Sequence, residues 1–290
     1  MVEHRPSVAP RLCHVGRRLR QLRVVAPDSS WTLEPGLLLV LATALTLYVG
    51  RWRRARAEAG PRAASGWRLA SFVAGLGTVF VALVSPVDRL GEQLFVMHMA
   101  QHLLVVDVAA ILLTLGLTRV LLRPVTRRVQ RIERRAGPLA HPAAAVILYV
   151  GGMWLWHVPA LYDAALEHPA LHALEHLTFA AIGLLYWWHL LSPIRSRHRL
   201  GGLGPVAYMF TGKIGLGLLG VLLTFSPDVL YDFYRHQARF WDLSALQDQS
   251  IGGAAMAIEQ SLIMGVAMAW LFIRALGESE REEERSERYA

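Results

Sequence analysis

Long apolar runs alternate with short polar connections along this chain, and the connections are rich in arginine. A helix needs about 20 apolar residues to cross the hydrocarbon core of a bilayer. Seven runs approach that length: 33–50, 67–85, 93–117, 142–157, 172–191, 205–226 and 249–273, the fourth being short. They are rich in Leu, Ala and Gly and lack period-two alternation, so helices rather than strands are expected. The fold class that follows is all-α, an integral membrane bundle of seven transmembrane helices. Three regions are expected: a basic N-terminal segment over 1–30, a seven-helix membrane domain over 31–275, and a charged cytoplasmic tail over 276–290. No internal repeat is visible.

Composition agrees with this pattern. Of 290 residues 54% are hydrophobic and 18% charged, less charge than an ordinary soluble domain carries. The formal charge of +8 comes almost wholly from arginine. A basic balance can signal nucleic acid, but these arginines sit between spans, so no nucleic-acid partner is expected and the lipid bilayer is. Seven arginines lie in 119–135, six in 51–68, and three in 195–199. The intervening loops hold little beyond Arg89, Arg235 and Arg239. The positive-inside rule places the first set in the cytoplasm, the N-terminus outside and the C-terminus inside. The basic N-terminal segment, from Arg5 to Arg23, runs against that assignment. It reads as an interfacial helix, a disordered stretch, or a piece absent from the mature protein. No cleavable signal peptide is evident, because no apolar core follows the arginines before Pro27. With Cys13 as its one cysteine, the chain can form no internal disulfide and no CxxC metal site.

Candidate chemistry lies in five histidines. His98 and His102 are four apart, as are His172 and His176, which puts each pair on one helix face. His157 ends the fourth run, with Met153 four residues earlier on the same face. In the expected topology all five fall in the outer third of the membrane, on three consecutive helices. One imidazole at a helix end is an ordinary interfacial residue, but five at one depth are costly in lipid unless partnered. The set His98, His102, His157, His172, His176, Glu175 and Met153 is therefore the expected metal site. Imidazole with thioether suits copper; zinc is the less favoured ion. Met97 and Met99 read individually as packing.

Other readings compete. His172-x-x-Glu175-His176 matches the inverted zinc-protease signature, in which two histidines bind zinc and the glutamate activates water. Paired transmembrane histidines also ligate haem, although clustering near one surface fits that less well. No residue reads as a nucleophile, so ligand exchange rather than catalysis is expected. Deeper in the bundle, Asp107 and Lys213 lie 14 and 13 residues from the outer ends of their spans, roughly 20 Å down at 1.5 Å per residue. Buried membrane charges find partners, so a structural Asp107–Lys213 pair is expected, with Glu259 and Gln260 as candidates to join it. A proton or ion path is the functional alternative for these groups.

The strings MHMAQHLLVVDVAAILLTLG, WLWHVPALYDAALEHPALHALEHLTFAAIGLLYWWHLLSP and LTFSPDVLYDFY, with LSALQDQSIGG, resemble the multi-span CtaG-type assembly factors of caa3-type cytochrome c oxidase. The resemblance runs over about 35–275. It implies a seven-helix plasma-membrane protein, multi-pass, that acts on cytochrome c oxidase subunits through copper delivery. The matching positions are His98, Gln101, His102, His157, Tyr162, Asp163, His172, Glu175, His176, Asp248 and Gln249. The chain departs from the family pattern at Ala109-Ala110-Ile111, where a Pro-Pro pair is expected, and at Lys213-Ile214. The expected function is that of an assembly factor holding copper near the outer face. The alternatives are a zinc-dependent intramembrane protease and a metal-free scaffold.

If loop charge sets orientation, a reporter fused after Arg128 is cytoplasmic and one at Ala165 is external. The opposite pattern in a reporter-activity assay would put the histidines on the inner side.

Overall fold

A computed structural model describes residues 26–194, 198 and 200–287. Among these, all regular secondary structure is helical. Helices α1 (Pro35–Ala59) and α2 (Gly66–Val84) are followed by short α3 (Pro86–Gly91). Helix α4 (Phe95–Leu103) passes through a π-helical turn, Leu104–Ala109, into α5 (Ala110–Gly116). Short α6 (Arg119–Leu122), α7 (Thr126–Ala136) and a 3-10 turn (Gly137–Ala140) lead into α8 (Pro142–Trp156). Then come α9 (Pro159–Glu167), α10 (Pro169–Leu191), α11 (Gly204–Phe225), α12 (Asp232–Arg235) and α13 (Ala245–Glu287).

The helix starts follow local chemistry. Pro35, Pro142, Pro159 and Pro169 each sit in the first turn of a helix, where the missing N–H is no loss and the fixed φ is already helical. The ring of His141 caps α8, its Nδ1 accepting from the Ala143 amide at 3.1 Å.

Five helical stretches are long and apolar enough to cross a membrane: α1, α2, the continuous α4–α5 run, α11, and α13 as far as Trp270. A sixth counts if the α7 and α8 stretches, bent by 69° at their junction, form one span. The other two runs expected to span are α8 and α10. Helix α8 has 15 residues, about 22 Å at 1.5 Å per residue, short of a core about 30 Å thick. Helix α10 has 23 residues, but His172, Glu175, His176 and His189 dilute its apolar character. Helix α13 has 43 residues, about 65 Å, so the expected tail continues it as far as Glu287. The basic stretch from Arg5 to Arg23 lies outside the described residues.

Backbones approach closely where small residues face each other. A Cβ at Gly220 of α11 would stand 2.9 Å from the Gly253 carbonyl of α13, and one at Gly253 would stand 2.6 Å from the Thr224 amide. Such small-residue seams let membrane helices pack tightly without a hydrophobic driving force. At the periphery, Tyr48 of α1 stacks on Phe72 at 3.7 Å, and its hydroxyl donates to the Gly116 carbonyl at 2.7 Å.

The deep charges do not pair as the sequence suggests. Asp107 is fully buried in the π-helical turn. It accepts from the Tyr149 hydroxyl at 2.7 Å, the Trp187 indole at 2.8 Å and the Gln260 amide at 3.0 Å. The Gln260 amide also donates to Glu259 at 2.9 Å. Lys213 instead donates to Ser261 at 3.2 Å, and no Asp107–Lys213 ion pair occurs among the described residues. Equal depth on two helices does not set which way each side chain points. The π-helical turn aims Asp107 at α8, α10 and α13, whereas Lys213 sits beside the buried face of α11.

Asp107→Ala leaves the buried Tyr149 and Trp187 donors without an acceptor, at about 1–3 kcal/mol each, while Gln260 keeps Glu259. A large fall in thermal unfolding temperature in detergent is expected, against little change for Lys213→Ala. The double-mutant cycle between the two positions is additive; a coupling energy above about 0.5 kcal/mol would contradict these contacts.

Candidate metal centre

Helix α4 carries His98 and His102 one turn apart on its buried face. Its first turn is capped from a distant element. Asp248, in the first turn of α13, accepts from the amides of Phe95 and Val96 at 2.7 and 3.0 Å. A carboxylate on free N-terminal amides is favoured by both hydrogen bonding and the helix dipole. Gln101 anchors the same helix, donating to the Ala82 carbonyl at 3.0 Å and to Asp88 at 2.7 Å.

Helix α10 supplies the facing side. Glu175 is wholly buried. Its carboxylate lies 3.8 Å from His98 Nε2 and 3.9 Å from His102 Nε2. The His98 ring is 4.2 Å from His102, 5.3 Å from His172 and 6.3 Å from His176, centre to centre. Two overlapping sets of ligand atoms result, each with its members within 4.8 Å of one another: His98, His172 and His176, and His98, His102 and Glu175. His98 belongs to both. The Nε2 atoms of His98, His102, His172 and His176, and both oxygens of Glu175, are buried without a hydrogen-bond partner among the described residues. Unsatisfied polar atoms at this density are costly, and a shared cation would satisfy them together. The donor chemistry of four imidazoles and a carboxylate fits copper or zinc.

The structure sets His157 and Met153 apart from this group. The Nδ1 of His157 bonds the Met153 carbonyl at 2.7 Å. Its Nε2 lies 3.4 Å from the sulfur of Met99. Thus the thioether beside His157 belongs to Met99, not Met153, whose contribution is its backbone. Met99 directly follows His98, and that adjacency was the available signal. Phe179 of α10 closes the inner side, its ring edge-on to His102 at 4.5 Å.

The remaining positions singled out by resemblance build the surroundings. Tyr162 packs against His98 at 5.3 Å and His157 at 5.9 Å. Asp163 on α9 accepts from the amides of Asp232 and Phe233 at 3.1 and 3.3 Å. Burial raises its carboxyl above the ordinary range, although those amides pull the other way. Gln249 accepts from the Leu230 amide at 2.7 Å and donates to the Asp228 carbonyl at 3.2 Å. Tyr231 and Tyr234 donate to the carbonyls of His157 at 3.2 Å and Gly91 at 2.6 Å. The segment between α11 and α13 is thereby tied down over the histidines.

Apolar helices long enough to cross a membrane, meeting around a buried cluster of imidazoles, describe a membrane protein with a candidate metal centre. The chain belongs to the cytochrome c oxidase caa3 assembly factor family, whose profile matches residues 46–278. It is similar to an uncharacterized protein of Mycobacterium leprae, 26% identical over 280 residues, covering 87% of this chain and 41% of that protein. An uncharacterized Mycobacterium bovis protein is 25% identical over 207 residues, covering 64% of this chain and 30% of its own length. The chain therefore spans well under half the length of these curated relatives. No solved structure matches it.

Removing the Asp248 cap should cost about 1–2 kcal/mol. Asp248→Ala is expected to unfold earlier in a thermal melt, with Asp248→Asn losing less because the amide oxygen still accepts. An unchanged melt for Asp248→Ala would mean the cap contributes nothing.

Proposed function

We propose that this protein spans the plasma membrane seven times, with its N-terminus outside, and carries copper at a site near the outer face for delivery to cytochrome c oxidase. The observation that supports this most is the convergence of His98, His102, His172, His176 and Glu175 from two helices, with their metal-binding atoms buried and unpartnered. Family membership supplies the oxidase as the client.

Copper is cargo in this reading. His172 is half-buried and His98 fully buried, so the first set receives an ion from the surface side and the second holds it deeper. Because His98 serves both, the ion exchanges ligands while one imidazole stays bound. The Met99 sulfur against His157 offers a soft pair one layer away, suited to Cu(I). Glu175 balances the charge of the ion and orients the imidazoles around it. The oxidase then competes for the ion by ligand exchange.

Metal analysis of the purified full chain is the test. Copper should co-purify, and His98→Ala should remove it most completely, because that residue belongs to both sets. His172→Ala and His176→Ala should weaken binding and lower the amount of copper-loaded oxidase, with membrane insertion intact. Glu175→Gln should weaken copper binding about 10–100-fold, as loss of an orienting group does, with partial function kept. Zinc in place of copper, or full metal binding with abolished function in Glu175→Gln, would turn the reading toward hydrolysis, since a general base does not survive that change.

A further inference from the structure

At the far end of the bundle from the histidines, the chain forms an open cleft of about 410 Å3. One wall is Arg119, Arg123 and Arg127 with Thr126 and Gln130; the other is Pro193 and Ile194. We propose that this cleft binds the phosphate groups of an anionic phospholipid headgroup.

Three observations converge on it. First, the charge is unbalanced. Three guanidinium groups line one small space, no carboxylate lines it, and none of the three is ion-paired among the described residues. Clustered cations of one sign lining a cleft attract an anion, and planar guanidinium groups match phosphate oxygens in forked, two-bond geometry.

Second, one arginine is already positioned. The Nε of Arg119 donates to the Pro193 carbonyl at 2.7 Å, which ties the start of α6 to the segment after α10 at the edge of the cleft that both line. The hydroxyl of Thr126 is used locally, donating to the Leu122 carbonyl at 2.8 Å. Arg123 and Arg127 flank the break between α6 and α7, so the kink brings them to one side of the cleft.

Third, the cleft lies where a headgroup lies. The α4–α5 run and α10 both start at the histidines and end beside it. Val125 just before α7, Ile132 within it and Leu139 in the 3-10 turn after it are exposed at 39%, 61% and 66%. Exposed apolar side chains beside arginines, on and flanking a short helix, describe an element resting in the interfacial layer of a bilayer. A free phosphate ion would satisfy the charge but would leave that apolar face unexplained; a lipid satisfies both, with its chains along Val125 and Ile132.

The full chain, purified in detergent, would be examined by native mass spectrometry with added diphosphatidylglycerol, phosphatidylcholine or inorganic phosphate. Diphosphatidylglycerol is expected to stay bound and to raise the thermal unfolding temperature, and phosphatidylcholine is not. Arg123→Gln with Arg127→Gln should weaken retention roughly thirtyfold, equivalent to about 1 kcal/mol per arginine. Arg53→Gln with Arg54→Gln removes the same charge from the exposed end of α1, outside the cleft, and should leave retention unchanged. Lipid-free melts of both double variants separate loss of binding from loss of fold. Equal losses in the two double variants would reduce the effect to general charge attraction and overturn the site. Equal retention of phosphatidylcholine, or stabilisation by inorganic phosphate as great as by lipid, would overturn the lipid assignment.

Discussion

A single buried carboxylate holds the middle of this bundle together. Asp107 receives hydrogen bonds from Tyr149 on α8, Trp187 on α10 and Gln260 on α13, so one side chain bonds three helices besides its own. Deep in an apolar interior such bonds have no water to compete with them, and the Tyr149 and Trp187 donors would be orphaned without their acceptor. The π-helical turn at Leu104–Ala109 makes this possible. An extra residue in one turn shifts the register of everything after it, and a side chain that would otherwise follow the α4 stripe turns toward three neighbours. The wide turn has its own requirement: a side chain at Gly183 of α10 would run into the Val106 carbonyl, so a glycine must stand there.

The same contact surface links this node to the histidines. Glu175, Phe179, Gly183 and Trp187 recur every four residues along α10 and form its buried stripe. Against α4 and the π-helical turn they meet His98 and His102, then His102 again, then Val106, then Asp107. One helix–helix interface therefore carries the candidate metal ligands at one end and the polar node toward the other. The distance between Glu175 and the two imidazoles depends on how deeply α10 settles against α4, and the Trp187–Asp107 bond and the glycine contact set that depth.

Much of the site was legible because helical period alone pairs His98 with His102 and His172 with His176. Loop length and charge put the two pairs at one expected depth, the HxxEH spacing directed attention to Glu175, and family resemblance to Asp248. What escaped was rotation about helix axes. Asp107 and Lys213 match in depth, but depth is one coordinate of two, and a π-helical turn changes the other without any signature in residue type. The same ambiguity assigned Met153 rather than Met99 to His157: spacing on one helix is readable, whereas contact across two is not. Span counting is least direct at α8 and α10, one being short and the other polar. The polarity of α10 is the candidate site itself.

The Asp248 cap has a bearing on biogenesis. The amides it accepts from belong to residues 153 and 152 positions earlier in the chain, so the helix bearing His98 and His102 emerges from the ribosome long before its cap exists. Until α13 inserts, the start of α4 keeps bare amides and the lid segment around Tyr231 and Tyr234 lacks its far anchor. The candidate ligand cluster is thus framed by a helix made long after α4, and a nascent chain halted before α13 would bear the histidines without that frame. Under the copper-carrier proposal, acquisition of an ion would follow the arrival of α13.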